Sequence, residues 1–163
     1  MPQHLEALAD ELLQHAKAAG LTVVTAESCS VGRLAMAFSK GEGASQHFMG
    51  GFVTYTKEMK NAVLGISMKV LKQKGAVCSE VAEAMATAAL KLTPADVAIA
   101  VTGVAGPEPD EDGNPVGLVF CSAARSNRRT VTVRHFFEDL SPDATIKATV
   151  EEALTLLEQC CQC

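Results

Sequence analysis

The sequence predicts a three-layer α/β/α sandwich around a mixed β-sheet, built as one domain over residues 1–163. Three observations predict this fold. Short apolar runs typical of buried strands alternate with longer segments in which apolar residues recur at helical spacing. Two β-rich runs late in the chain are separated only by a short polar turn, as in a hairpin. A last amphipathic helix follows them, so helices are available to cover both faces of the sheet.

The first half of the chain supplies most of the alternation. Apolar residues from Leu5 to Ala19 repeat at helical spacing, and Gly20 closes this helix. Gly50 and Gly51 lie inside the second strand and predict either a bulge or another backbone packed close to them. The elements that follow the first helix are a strand at 22–26, a helix at 33–39, a strand at 48–55 and helices at 56–64 and 68–74.

The second half supplies the central strand and the hairpin. A longer helix comes first, with Ser79 as its predicted N-cap. Residues 95–101 are almost all apolar and predict a strand buried on both faces. The β-rich runs 117–124 and 130–137 form the hairpin, and the last helix starts after Ser141.

Composition excludes several classes of function. The formal net charge is -5, so the chain lacks the basic surface that nucleic-acid binding needs, and we predict no nucleic-acid partner. Residues 1–20 are too charged for a signal peptide, and no apolar run reaches the length of a membrane span. We therefore expect a cytoplasmic protein that has no membrane partner.

The cysteines indicate a reducing compartment and no metal. Cys29, Cys78 and Cys121 stand singly in apolar surroundings, and no spacing typical of disulfides occurs. A terminal cluster of Cys160, Cys161 and Cys163 offers three thiols to a soft metal, whereas structural zinc is held by four ligands. We predict neither a metal nor a cofactor.

The stretch 25–32, Thr-Ala-Glu-Ser-Cys-Ser-Val-Gly, carries the most chemistry. It joins a predicted strand to the first turn of a helix, where backbone N–H groups lack partners. Those groups can stabilise an oxyanion, and a serine hydroxyl beside them can be a nucleophile if a base stands nearby. The alternative is that Ser28 or Ser30 only caps the helix.

A lysine fits as the base of that serine better than a histidine does. The four histidines lie on a helix, before a strand or within one, and no G-x-S-x-G elbow occurs. Lys57 and Lys60 follow Tyr55 and share one helical face. Burial or a neighbouring cation would have to lower a lysine pKa from about 10.4 to near 7. Tyr55 could relay the proton or hold the amine, while a solvated helix face is the alternative for either lysine.

A second small, polar turn follows the predicted central strand. Ligands of α/β sheets bind outside the carboxyl ends of strands, so we expect this turn and Ser28 to line one crevice. Gly103 and Gly106 allow a ligand to approach the backbone, and Thr102 adds a hydroxyl. The pattern suits an anionic or phosphorylated small molecule. The acidic run 108–115 lacks the ligands of a calcium loop and predicts an exposed loop.

Several motifs in this order resemble one known family. They are Thr25-Ala26-Glu27-Ser28-Cys29-Ser30, Gly51-Phe52-Val53-Thr54-Tyr55 with Lys60, Gly75-Ala76-Val77 with Ser79, Val101-Thr102-Gly103-Val104-Ala105-Gly106-Pro107 and Pro115-Val116-Gly117. Together they resemble the C-terminal domain of the CinA (competence/damage-inducible) family, which includes nicotinamide-nucleotide amidases. The resemblance covers nearly the whole chain.

The resemblance implies an amidohydrolase that converts nicotinamide mononucleotide to nicotinate mononucleotide and ammonia in pyridine-nucleotide recycling. Carried over by position, Ser28 is the nucleophile, Lys60 its base and Tyr55 an assisting residue, and no metal is required. The family also implies a homo-oligomer, and the length implies that the larger N-terminal domain of full CinA proteins is absent. The predicted substrate-binding residues are Glu27, Ser30, Gly32, Thr102, Gly103, Gly106 and Lys147.

Three departures from the family pattern leave the identity of the substrate open. Val31 stands where a glycine is usual, and the loop after Pro107 is acidic instead of glycine-rich. No arginine occurs near the start of the last helix, so the positive charge there falls to Lys147 or is missing. The alternative function is a catalytically inactive nucleotide-binding or regulatory relative. Cys29 as the nucleophile is disfavoured because it has no apparent histidine partner.

Overall fold

The computed structural model describes residues 3–162, which form five strands and seven helices in three layers. The strands are β1 (Val23–Glu27), β2 (Phe48–Val53), β3 (Val97–Gly103), β4 (Leu118–Arg125) and β5 (Val131–Phe136). The helices are α1 (Gln3–Ala19), α2 (Arg33–Ser39), α3 (Ala44–His47), α4 (Lys57–Leu64), α5 (Met68–Lys74), α6 (Ser79–Leu92) and α7 (Pro142–Gln162). Within the described residues, no helix has both the length and the apolar character needed to cross a membrane.

The sheet is mixed and has the strand order β2-β1-β3-β4-β5, which confirms the predicted fold class. β1 pairs in parallel with both β2 and β3, whereas β4 pairs antiparallel with β3 and β5. The carboxyl ends of β1, β2 and β3 therefore lie at one edge of the sheet. Because β1 has a later strand on each side, this edge contains the kind of crevice in which α/β folds bind ligands.

Two apolar cores lie on opposite faces of the sheet because successive strand residues point in opposite directions. On one face, Val23 and Ile99 pack with residues of α1, α2 and α7. On the other face, Val24 and Ala98 pack with residues of α5, α6 and the end of α4. Neighbouring residues at the end of β1 therefore face different helices.

The pair of glycines in β2 has the structural consequence that was predicted. The β1–β2 register passes from Val23–Phe48 to Val24–Gly50, so a bulge leaves Met49 without a partner. A Cβ atom on Gly51 would overlap the hydroxyl oxygen of Thr25. Close packing of the backbone thus accounts for glycine at that position.

Three local expectations differ from the structure. Ser79 is the first residue of α6 rather than its cap, and its hydroxyl donates to the Glu80 carboxylate. Thr102 and Gly103 are the last residues of β3, not part of the following turn, because they continue the ladder with β4. Helix α3 was not predicted, since four residues are too few to show a helical period.

Candidate active site

The structure brings the predicted nucleophile and base together at the end of β1. The Lys60 Nζ lies 2.8 Å from the Ser28 Oγ and also donates to the backbone carbonyls of Thr54 and Tyr55, at 2.7 and 3.1 Å. Lys60 has no exposed surface, and Ser28 is 6% exposed. These three contacts fix the position of the amine, so it needs no movement to reach the hydroxyl.

Helix α4 aims Lys60 at this site. Thr56 caps the helix, because its hydroxyl accepts a hydrogen bond of 3.1 Å from the backbone N–H of Met59. Gly65 ends the helix in the left-handed conformation that glycine favours, with a φ of 67°. The segment before the helix is tied to β1, since the Thr54 N–H donates to the Glu27 carbonyl at 2.8 Å.

Burial lowers the pKa of Lys60 to about 8, because an ammonium ion loses its hydration inside the protein. The nearby Cys29 opposes this effect to a smaller degree. A neighbouring cation, the other cause considered from the sequence, does not contribute: Lys57 Nζ instead lies 2.7 Å from Asp112 and 2.9 Å from Glu111. The hydrogen bonds to Asp112 and then Glu111 raise the pKa of Lys57.

Tyr55 contacts the pair through its backbone and not through its phenol. Its side chain is 65% exposed and lies at the rim of the cleft. Its carbonyl oxygen accepts from Lys60 and lies 3.4 Å from the Ser28 Oγ. Of the two roles predicted for Tyr55, the contacts favour holding the amine over relaying a proton.

Glu27, Ser30 and Gly32 do not line the cleft, although contact with substrate was predicted for all three. The Glu27 carboxylate is fully buried and accepts from the Ser30 hydroxyl at 2.6 Å and from the Gly32 N–H at 2.9 Å. It also accepts from the N–H groups of Leu34 and Ala35, at 3.1 and 2.8 Å. These donors are therefore bound to Glu27 and are not available to a ligand.

The same contacts change the interpretation of the turn before α2. Its N-cap is Gly32, and no side chain at that position caps the helix, so neither Ser28 nor Ser30 has the capping role considered above. Glu27 binds the N–H groups that a serine cap would have bound, and the sequence indicated this role. Glu27 stands just ahead of a predicted helix start, where a carboxylate is favoured by the unpaired N–H groups.

A cleft of about 530 Å³ opens beside Ser28. Thr102, Gly103 and Gly106 line it, at the end of β3 and in the turn that follows. The hydroxyl of Thr102 is buried and donates to the Ala76 carbonyl at 2.8 Å, so it fixes the opposite wall of the cleft.

Lys147 does not line the cleft and is exposed on α7. The first turns of that helix contribute Pro142 and Ile146 instead. Since each residue of a helix is rotated by about 100° from the previous one, the position next to Ile146 faces elsewhere. The structure thus does not bring the predicted positive charge to the site.

One wall of the cleft is acidic. Lys57 is the one cation among the described residues that line it, and its amine is engaged by two carboxylates. An anionic group of a substrate would be repelled from this wall and attracted only weakly by Lys57. The lining carboxylates are those of Glu58, Glu108, Asp110, Glu111 and Asp112.

Cys29 lines the cleft next to Ser28 but is not prepared for attack on a substrate. Burial raises the pKa of its thiol to about 12, and only a thiolate is a strong nucleophile. Within the described residues, no histidine contacts it. The structure therefore favours Ser28 over Cys29 as the nucleophile.

A group of residues that could hold a metal lies away from the cleft. Glu11, His15 and Glu158 each offer one ligand atom, all within 4.8 Å of one another, and none of them lines the cleft. Cys160 and Cys161 belong to α7, and Cys163 lies outside the described residues. Among the described residues of these two groups, none lines the cleft beside Ser28.

The class of protein is thus an α/β/α sandwich that holds a buried serine–lysine pair at the carboxyl end of its first strand. The chain belongs to the CinA C-terminal domain family, whose model matches residues 5–161.

Two relatives illustrate the breadth of this family. The chain is 37% identical over 152 residues to the nicotinamide-nucleotide amidohydrolase PncC of Escherichia coli (strain K12), covering 93% of this chain and 92% of the relative. It is 39% identical over 140 residues to a CinA-like protein of Geobacter sulfurreducens, covering 86% of this chain but 33% of that relative. The chain thus spans about a third of the length of the second protein.

Solved structures of the family have the same fold. The competence/damage inducible protein CihA from Agrobacterium tumefaciens matches with a TM-score of 0.92 and 36% identity, covering 96% of this chain and 95% of that one. A CinA superfamily protein from Escherichia coli matches with a TM-score of 0.90 and 36% identity, covering 95% and 90%. The family and the fold expected from the sequence are confirmed.

Proposed function

We propose that this chain is an amidohydrolase that converts nicotinamide mononucleotide to nicotinate mononucleotide and ammonia. Ser28 is the nucleophile and Lys60 the base. The observation that carries the proposal is the 2.8 Å contact between the Ser28 Oγ and an amine whose pKa is lowered to about 8. The amidase class is supported by the similarity to the E. coli enzyme named above, over 93% of this chain.

The two carbonyls beside Lys60 set the direction of proton transfer. Because the carbonyls of Thr54 and Tyr55 can only accept, they hold the two hydrogens of a neutral amine. The lone pair of nitrogen then faces the Ser28 hydroxyl. As the Ser28 Oγ attacks the carboxamide carbon, its proton passes to the Lys60 Nζ and the carbonyl oxygen becomes an oxyanion.

The remaining steps return every proton. The Lys60 ammonium protonates the amide nitrogen, the C–N bond breaks, and ammonia leaves an ester on Ser28. Water then attacks the ester carbon and gives a proton to Lys60. The ammonium returns it to the Ser28 Oγ as the C–O bond breaks, which releases the carboxylic acid and restores the site.

A backbone N–H group of the turn is the donor for the oxyanion. The N–H of Cys29 is closest in sequence to the nucleophile, and Cys29 lines the cleft. This N–H faces the sulfur of its own side chain, which is a weaker acceptor than an oxyanion. The N–H of Val31 is occupied, because it donates to the Ser28 carbonyl at 3.2 Å. The N–H of Cys29 is therefore the donor proposed for the oxyanion.

Release of ammonia from nicotinamide mononucleotide tests the proposal. We expect the wild-type protein to form nicotinate mononucleotide and ammonia in equal amounts, and Ser28→Ala to be at least about 10³-fold slower. Cys29→Ala is the matched control and should keep most of the activity. Equal rates for the wild-type protein and Ser28→Ala would rule out Ser28 as the nucleophile.

The alternative is a relative that binds a nucleotide without turning it over. The acidic wall bears on it, because five carboxylates and a single paired lysine hold a phosphate poorly, and a nucleotide held poorly is not positioned for attack by Ser28. Calorimetric binding of the nucleotide by a wild-type protein that releases no ammonia would support this alternative.

We further propose a cytoplasmic homo-oligomer, as the family resemblance implies. The apolar side chains of Met36, Met49 and Val53 are 43–46% exposed near the edge strand β2, which supports association of copies. Cys29, Cys78, Cys121 and Cys161 are free thiols, in keeping with a reducing compartment. Light scattering would test the association, and a monomer at micromolar concentration would contradict it.

A further inference from the structure

We propose that Glu27 is a positioning residue for the reaction at Ser28. Its carboxylate binds the donors of the first turn of α2 and so fixes the turn that carries the Ser28 hydroxyl and the N–H of Cys29. This inference rests on the proposed function and adds to it a residue that contacts neither the substrate nor the base.

The surroundings of Glu27 are those of a fixed anion. The side chain has no exposed surface, and four donors lie within 3.1 Å of its two oxygens. The Thr25 hydroxyl adds a fifth contact at 3.4 Å. Within the described residues, no lysine, arginine or histidine pairs with it, so its charge is stabilised by hydrogen bonds and by the N-terminus of α2.

The Glu27 carboxylate prevents the N-terminus of α2 from binding a group of the substrate. A helix start next to a nucleophile would normally attract an oxyanion or a phosphate. Here its N–H groups already face a negative charge, which would also repel a second anion. The start of α2 is therefore not available to the oxyanion, which leaves the N–H of Cys29, next to Ser28, as its donor.

The main chain of Glu27 connects the turn to the base. Its carbonyl accepts from the N–H of Thr54, whose own carbonyl holds the Lys60 amine. In the sheet, Glu27 stands opposite Val53 of β2 and Val101 of β3. Glu27 thus fixes the turn that carries Ser28 through its side chain, and through its backbone it fixes Thr54, whose carbonyl holds the Lys60 amine.

Glu27→Gln is the informative variant, because it keeps the shape but replaces one acceptor oxygen with an amide that faces N–H donors. We expect kcat to fall about 30-fold or more and KM to change less than about 3-fold, since transition-state contacts are lost and substrate contacts are not. Glu27→Asp keeps the charge and should recover part of the loss. Glu80→Gln is the matched control: this carboxylate lies at the N-terminal end of a helix, α6, and outside the cleft, so no change is expected.

A fluorophosphonate probe tests the same point without an amide substrate. The Ser28 Oγ attacks phosphorus, its proton passes to Lys60, the P–F bond breaks and fluoride leaves, while the phosphoryl oxygen gains negative charge beside the same turn. We expect Glu27→Gln to slow this labelling by a factor similar to the loss in kcat. The pH at half-maximal rate should stay unchanged, since the base is not altered. A merely structural role would lower Tm and the fraction of labelled protein but leave the rate constant of the folded fraction unchanged.

The outcomes separate this inference from the proposed function. If Glu27→Gln is labelled at the wild-type rate, Glu27 has no positioning role, even if ammonia is released. Labelling that depends on Glu27 in a protein that releases no ammonia would support the positioning role and contradict the proposed amidase. If Ser28 of the wild-type protein is not labelled at all, both the positioning role and the proposed function are contradicted.

A second variant is needed if Glu27→Gln fails to fold. Ser30→Ala removes one donor from Glu27 and is expected to slow labelling about 3-fold or more. An unchanged labelling rate would overturn the inference.

Discussion

Lys57 and Lys60 lie one helical turn apart on α4, yet their surroundings differ in almost every respect. Lys60 is fully buried and contacts two carbonyls and a hydroxyl. Lys57 lies at the cleft and pairs with two carboxylates. The pKa of Lys60 is lowered and that of Lys57 is raised. A carbonyl orients an amine without forbidding the loss of its proton, whereas a carboxylate stabilises the charged form.

The two lysines accordingly serve different parts of the cleft. Lys60 belongs to the region where β1 ends and the chemistry is proposed to occur. Lys57 joins α4 to the acidic loop, whose Asp110 carboxylate accepts from the N–H groups of Asp112 and Asn114, at 3.0 and 2.8 Å. We infer that Lys60 takes part in the reaction, whereas Lys57 holds the acidic loop that lines one wall of the cleft.

Replacing each lysine with methionine should give the largest contrast. Lys60→Met removes the base, and we expect kcat to fall by about 10³-fold. Lys57→Met removes an ion pair at the cleft, and a loss of less than about 10-fold is expected because the Lys57 amine pairs with Asp112 and Glu111 and not with the proposed nucleophile. Initial rates of ammonia release measure both. Comparable losses in the two variants would show that the difference in surroundings has no catalytic meaning.

The pH dependence of kcat should follow Lys60 and ignore Lys57. The base must be neutral, so activity is low below the Lys60 pKa, rises with pH and is half-maximal near about pH 8. Lys57→Met should leave that midpoint in place, since Lys57 does not lower the pKa of Lys60. A rate–pH profile over pH 6–10 (roughly two units either side of the midpoint) measures it. A profile that falls with rising pH would contradict a lysine base.

Substitutions of Val31 should measure the backbone strain in the turn that follows Ser28. It is a β-branched residue with a φ of 48°, a conformation that costs a non-glycine residue about 1–2 kcal/mol. We expect Val31→Gly to be about 0.5–1 kcal/mol more stable than Val31→Ala, because alanine keeps most of this cost. Denaturant unfolding of the two variants measures the difference. Equal stability would mean that the turn relaxes around residue 31.

Asp112→Asn should have the smallest effect. It weakens the contact between Lys57 and the acidic loop, and we expect a loss of less than about 1 kcal/mol in the free energy of unfolding. The loss should shrink as salt is added, because exposed charges are screened. Thermal unfolding at low and high ionic strength tests this. A larger loss that salt does not change would show that the loop depends on packing instead.

The parts of the site that sequence analysis found are those with a local signal. Ser28 stands where a strand meets a helix, and Lys60 follows the next strand on a face shared with Lys57. The lysines' partners were not predictable in the same way: Asp112 is 55 residues from Lys57, and no local pattern links them. Burial of Lys60 depends on how α4 packs on the sheet, which the sequence alone does not specify.

Two of the predicted substrate-binding residues lie away from the cleft for physical reasons. Glu27 is next to Ser28 in sequence, but adjacent residues along a strand point to opposite faces. Lys147 lies near the start of α7, but Ile146 is the residue that lines the cleft. In both cases the difference is one position along a regular element, where proximity in sequence differs from direction in space.

The alternation at the end of β1 makes the chemistry sensitive to a slip of a single residue. If β1 shifted by one position while its neighbours stayed in place, a carboxylate would take the place of the hydroxyl beside the Lys60 amine. That amine would then be locked as one half of an ion pair, and the domain would keep its shape while losing its reactivity.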